Sequence, residues 1–241
     1  MPNNEKKKLT PGYWIALGIV ALAVILGVVG FVLMQTQRHE PDHETSPPTS
    51  AEPTTAPEEP KLESGACDVP GGNITTVPAD LRWAASAGVT WPISDSLGPV
   101  SVKDGFAVCF SRSPVGAALA AVTSQFGAVD HGTVPTMEFY VVDSPGKAIA
   151  LEKSASLKSL PDQLQQYGMQ LVGYRVDEYT ESRALVRLVY SVPNSGTGFR
   201  ALPFPMEWVQ GDWRVKLQDT GVTGQAIDVN AGQFTRWSSN G

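Results

Sequence analysis

The sequence predicts an α+β domain carried on a single N-terminal transmembrane helix. Three observations carry this. Tyr13 to Met34 is an uncharged run, YWIALGIVALAVILGVVGFVLM, with no polar face. Between residues 113 and 168, serine–proline starts open stretches of helical period. From Gln170 the apolar period changes to two and persists to Leu217, the pattern of antiparallel strands with one buried face.

The apolar run spans roughly 33 Å as a helix, enough for a bilayer core of about 30 Å. Lys6, Lys7 and Lys8 precede it, and Glu40, Asp42 and Glu44 follow. The positive-inside rule then puts residues 1–12 in the cytoplasm and the rest outside, with Tyr13–Met34 in contact with membrane lipid. A cleaved signal peptide is the rival, but the run is too long and ends in Val-Leu-Met-Gln-Thr-Gln without a small-x-small site. An uncleaved signal anchor in the plasma membrane is the expectation.

Residues 35–66 carry seven acids against Arg38 and Lys61, with Pro41, Pro47, Pro48, Pro53, Pro57 and Pro60 among Ser, Thr and Glu. Such a segment buries too little apolar surface to offset its ordering, and proline keeps it extended. It reads as a disordered linker. The folded domain is expected over residues 67–217.

The net charge of −6 is spread without a basic block, so direct binding of nucleic acid is not expected. Cys67 and Cys109 are the only cysteines and both lie beyond the span. In an oxidising compartment they are most simply a disulfide, worth about 4 kcal/mol in the chain-entropy view. Two free buried thiols are the alternative.

Residues 67–112 are punctuated by Pro70, Gly71, Gly72, Pro78, Pro92, Gly98, Pro99 and Gly105, and read as extended or irregular, with a short strand at Phe106–Phe110. Ser113-Pro114 is an N-cap and first-turn proline, followed by Val115, Ala118, Leu119, Val122 and Phe126 at helical spacing and stopped by Gly127. The adjoining face, Gly116, Ala117, Ala120 and Ala121, permits close packing. Ser144-Pro145 starts a second helix to about Ala155, and Ser159-Leu160-Pro161 a third ending at Gly168. Met137–Val142 fits strand or helix equally.

In the period-two region, Val172, Tyr174 and Val176 face one way. Ala184, Val186, Leu188, Tyr190 and Val192 form the next apolar face, then Leu202, Phe204, Met206 and Trp208, then Trp213, Val215 and Leu217 after a Gln210-Gly211-Asp212 turn. This is a four-stranded antiparallel meander. Pro203 and Pro205 remove donors from one side of its third strand, which must be bulged or unpaired there and is open to a partner strand. Residues 218–241 offer few anchors and read as a loose tail.

Catalytic constellations are sparse. His131 is the domain's lone histidine, so neither a metal site nor a Cys/His pair has a basis. Ser144-x-x-Lys147 has the spacing of penicillin-interacting serine enzymes, but no K-T-G or S-D-N accompanies it and the serine is explained as a cap. No enzyme and no cofactor is expected. Arg183, Arg187, Arg214 and Lys216 share the outer sheet face and, with Pro203 and Pro205, form a candidate partner face. Trp83, Trp91, Trp208 and Trp213 are the candidate lining of a pocket.

Helices followed by a meander behind one span, ending in Gly211-Asp212-Trp213-Arg214-Val215, resembles the cone-shaped nuclear-transport-factor-like (cystatin-like) fold of bitopic scaffold subunits in conjugation and type IV secretion machines. Gly98-Pro99, Gly105-Phe106 and Ser113-Pro114-Val115-Gly116-Ala117 with Ala120-Ala121 are similar to an uncharacterised membrane-protein family of actinobacterial integrative and conjugative elements. The resemblance covers roughly residues 90–217. Arg112 stands where that pattern has histidine. It implies a cone of helices on a curved sheet and a non-enzymatic, oligomeric assembly component bound to other membrane subunits of a transfer complex. A small-ligand, lipid or cell-wall-binding module is the other expectation.

Overall fold

The computed structural model describes residues 67–154, 158–193 and 195–238. The expected tail at 1–12, span at 13–34 and linker at 35–66 lie outside them. Among the described residues no helix is long and apolar enough to cross a membrane.

The domain is α+β. It opens with two hairpins, β1 (Leu81–Ser86) with β2 (Val89–Ser94) and β3 (Ser101–Lys103) with β4 (Phe106–Val108). Helices α1 (Pro114–Phe126), α2 (Ala128–His131), α3 (Thr133–Tyr140), α4 (Pro145–Ser154) and α5 (Leu160–Tyr167) follow. Strands β5 (Gln170–Tyr179), β6 (Arg183–Ser191), β7 (Phe199–Val209) and β8 (Asp212–Val215) then pair in sequence, each antiparallel to the last. The short strands β9 (Ile227–Asp228) and β10 (Thr235–Arg236) complete a six-stranded sheet, β9 beside β7 and β10 beside β5.

Helix α1 is the centre of the core. The Ser113 hydroxyl accepts the Gly116 N–H at 3.0 Å, closing the helix start as its sequence predicts. Every residue from Pro114 to Thr123 is buried, because the helix lies between the large sheet and β2. The small-residue face is used at Gly116, where an added Cβ would sit 2.0 Å from the Ser111 carbonyl oxygen. Ser159 caps α5 and Gly168 ends it in a left-handed turn. Met137–Val142 resolves as the end of α3, with Val141 bridging in parallel to Val215.

The inward faces of β6, β7 and β8 follow the expected alternation: Val186, Leu188 and Tyr190, then Phe204 and Met206, then Trp213 and Val215, all buried. Strand β5 departs from it. Register shifts at residues 172 and 177 mark two bulges. The first turns Val172 away from Tyr174 and Val176 and onto the opposite face, where it packs with Val189, Ala201 and Val229.

The tail expected to be loose is docked. Residues 227–228 pair with β7, Val229 is 2 % exposed, and residues 235–236 pair with β5, so the segment crosses the outer face of the sheet. Trp237 stacks on Tyr174 with ring centroids 4.2 Å apart. Gly173 makes this possible, since a Cβ there would lie 2.3 Å from the Thr235 carbonyl oxygen.

The prolines of β7 are also accounted for. Trp208 N–H donates to Ser182 on the β6 side, and Lys216 N–H donates to the Pro205 carbonyl on the other. The missing donors of Pro203 and Pro205 therefore fall on the β8 side, in the gap between β9, at Arg200–Ala201, and β8, at Met206–Val209. One-sided pairing was expected. An edge open to a partner strand is corrected near Pro203, where the chain's own Gly224 packs against it.

The start of β8 is clamped to the segment after β4. The Asp212 carboxylate, in a residue 5 % exposed, accepts the N–H groups of Cys109 (2.9 Å), Phe110 (3.2 Å) and Trp213 (2.9 Å). The Trp213 indole N–H donates to the Ser111 carbonyl at 2.9 Å. Burial pushes the Asp212 carboxyl above the usual carboxylate range, against the amide hydrogen bonds that favour its ionised form.

Two outcomes are expected. Asp212→Ala strands buried N–H donors and should lower unfolding stability by about 3 kcal/mol in urea titrations. Gly173→Val should eject the tail, seen as rapid tryptic cleavage at Arg236 with the rest of the domain intact.

Candidate functional site

Cys67 and Cys109 form a disulfide, with Cα atoms 5.2 Å apart, joining the start of the domain to the segment that Asp212 holds. His131 packs on Phe106, ring centroids 4.4 Å apart, in a cluster with Phe139 and Tyr140. Among the described residues no group of His, Cys, Asp and Glu is arranged to hold a metal. The Ser144–Lys147 pair is structural. Ser144 Oγ accepts the Lys147 N–H at 3.2 Å, and Lys147 Nζ donates to Asp143 (2.6 Å) and the Glu138 carbonyl (2.8 Å).

The four cations of the expected partner face do lie on one side of the sheet by register. Arg183 is opposite Glu207, which is opposite Arg214, and Arg187 lies between Arg175 and Pro203. They are not equally available. At the bulge, the Asp177 carboxylate, with the side chain 19 % exposed, bridges Arg175 Nε (2.5 Å) and Arg187 Nε (2.6 Å). Partial burial pushes the Asp177 carboxyl up, but hydrogen bonds and charge from both arginines outweigh it and hold it below the usual range. The Arg187 side chain is only 16 % exposed, so it is committed within the sheet. Arg214 lies over the Phe139 ring at 4.5 Å and donates to the Phe139 carbonyl at 3.2 Å. Arg183 and Lys216 remain exposed. Arg112 lies over Trp208 at 5.1 Å and donates to the Glu181 carbonyl at 2.7 Å, bracing the β5–β6 turn.

Arg183 and Lys216 rim a groove of about 510 Å³ at the β5–β6 end of the outer face. Leu185 and Pro205 give it an apolar lining, and Glu178 and Glu207 complete the charged rim. Sequence alternation finds its cations. It misses Glu178, because the bulge at residue 177 decides which β5 residues share the face, and it leaves out Leu185, which the alternation of β6 itself turns outward.

The four tryptophans do not line one cavity among the described residues. Trp213 is 1 % exposed and meets Trp208 edge-on at 5.2 Å, and Trp91 lies against Phe126 at 5.6 Å. Of the four, Trp83 is the exposed one, at 46 %, and Trp208 is half-buried with Arg112 over its ring. It borders a second groove of about 480 Å³ between the β1–β2 hairpin, the end of α5 and the start of β5.

The fold and site thus define a disulfide-closed α+β domain with two surface grooves. The chain belongs to the family described as Domain of unknown function (DUF8175), whose model matches residues 44–236. The match runs through the docked tail to the end of β10. No curated protein and no solved structure matches the chain.

The Asp177 bridge yields a pH expectation. Its carboxyl is depressed in the folded state, so its contribution is present above the unfolded value near 4 and lost as pH falls through the folded one. Asp177→Asn should cost about 1 kcal/mol at pH 7, with the gap to wild type closing in acid, measured by urea unfolding across pH.

Proposed function

We propose that this protein is a non-enzymatic assembly component of a cell-envelope machine, anchored by Tyr13–Met34 and held away from the membrane by residues 35–66. The observation that carries this reading is the groove over Leu185 and Pro205. An apolar lining within a mixed-charge rim of Glu178, Arg183, Glu207 and Lys216 is the make-up of a protein-docking patch. Two residues of the partner face expected from sequence, Arg183 and Lys216, stand on that rim. The disulfide suits an extracytoplasmic setting.

The finer reading adds the cone-shaped nuclear-transport-factor-like architecture and a place in conjugative, type IV secretion-like transfer. Helix α1 against the inner face of a bulged, consecutively paired sheet supports the first. The second rests on the resemblance around Gly98-Pro99 and Ser113-Pro114-Val115-Gly116-Ala117. The rival reading, a ligand-binding or cell-wall-binding module, draws its support from the Trp83 groove.

Photo-crosslinking in intact cells tests the docking reading. A photo-reactive residue at Arg183 or Lys216 should give discrete adducts with other membrane proteins or a second copy of this chain, and Leu185→Asp should abolish them without changing expression. Absence of protein adducts at both positions overturns it. Arg187 is unsuited as a probe site because its side chain is held against Asp177.

A further inference from the structure

We propose that the Trp83 groove is a binding site for a neutral oligosaccharide. This goes beyond the docking reading and uses the opposite side of the domain's chemistry: a groove without charge. Its eleven lining residues come from the β1–β2 hairpin (Trp83 and Thr90 among them), the end of α5 (Gln165), the turn after it (Met169) and the start of β5 (Gln170), with Phe126 beneath. None of these side chains is ionisable. A charged ligand would enter without a counter-charge, which disfavours it.

What the groove does offer is an exposed indole and free uncharged polar groups. The face of an indole receives the apolar C–H side of a pyranose ring, as it receives other flat apolar groups. Gln165, Gln170 and Thr90 are exposed, and their side chains hold no hydrogen bond among the described residues. Each amide offers both donors and an acceptor, the complement of ring hydroxyls. Half-buried Met169, beside the buried Val89 and Leu171, offers apolar surface to ring edges or an acetamido methyl. A volume of about 480 Å³ falls in the range of small-ligand sites and holds about two or three rings.

The groove is built rather than incidental. The hairpin tip is tied to α2 by the Ser86 hydroxyl, which donates to Asp130 at 2.5 Å. Gly88 has φ of +79° in the hairpin turn, a conformation that favours glycine, and it faces the Gln165 side chain of α5 at ordinary contact distance. Gly168, also at positive φ, turns the chain from α5 directly into β5, setting Gln165 and Gln170 on the same rim. Trp83 pairs with Pro92 across the hairpin, so its backbone is held while its ring stays exposed.

The test is calorimetric titration of the full chain, in a sugar-free detergent, with two probes: cellotetraose and tetra-N-acetylchitotetraose. Saturable binding of at least one, weakened about tenfold or more by Trp83→Ala and severalfold by Gln165→Ala, supports the site. Both residues are exposed, and matching urea midpoints establish that the variants fold. Binding of neither probe at about 5 mM, or binding unchanged in both variants, overturns it. So does capture of a synthetic peptide of residues 44–62 by this groove in preference to either sugar, which would make it a seat for the chain's own proline-rich segment. The Arg183 and Lys216 crosslinks read the other groove, so either proposal can fail alone.

Discussion

The rest of the domain depends on one buried carboxylate. Asp212 takes the backbone N–H groups of Cys109 and Phe110 out of solvent and supplies the acceptor they need. Its neighbour Trp213 adds an indole hydrogen bond to Ser111. Through those three residues the clamp reaches four features at once: the disulfide to Cys67, the β3–β4 hairpin, the tight approach of Gly98 and the capped start of α1. An added Cβ at Gly98 would lie 2.7 Å from the Cys109 carbonyl oxygen, which leaves no room for the segment to shift. The loss of two amide hydrogen bonds and one indole hydrogen bond in a low-dielectric interior is the penalty that keeps β8 and residues 109–111 together.

With the inner face of the sheet filled by α1, the outer face decides what the domain presents. Part of it is covered by the tail, which seals Val189 and Ala201 under Val229 and fills the place beside Pro203. The rest carries charge, and most of that charge is internally spent. Asp177 holds two arginines, and Arg214 rests on an aromatic ring. What remains exposed is the short groove around Leu185, where cations and carboxylates alternate over apolar carbon. Specificity rather than raw affinity is the usual product of such a rim.

The two grooves differ in chemistry for a structural reason. One lies on the sheet, where strand alternation sets charges beside apolar residues. The other lies where a helix end, a strand start and a hairpin tip converge, and its residues are those that end secondary structure: Gly88, Gly168 and the amides around them. The two proposed uses, protein docking and oligosaccharide binding, fall on separate surfaces that share no lining residue.

Much of the architecture was legible in the sequence because its signals are local. Ser113, Ser144 and Ser159 announce helices whose start depends on the next few residues alone, and the alternation from Ala184 to Leu217 names its buried face without reference to a partner. The cysteines, only two in the sequence, pointed to their pairing by number. Other features depend on contacts distant in sequence. Two bulges in β5 reassign Val172 and Asp177. The tail has too few apolar residues to show a period, yet Val229 and Trp237 are buried because a finished sheet was there to receive them. Asp212 read as a turn residue, since nothing local distinguishes a hairpin aspartate in solvent from one aimed at amides a hundred residues earlier. The sequence by itself determined the helices that start at Ser113, Ser144 and Ser159 and the inward faces of β6 and β8. Only the tertiary structure decided which charges stay free, which tryptophan faces water and where the grooves lie, because those depend on register, bulges and close approaches between segments far apart in the chain.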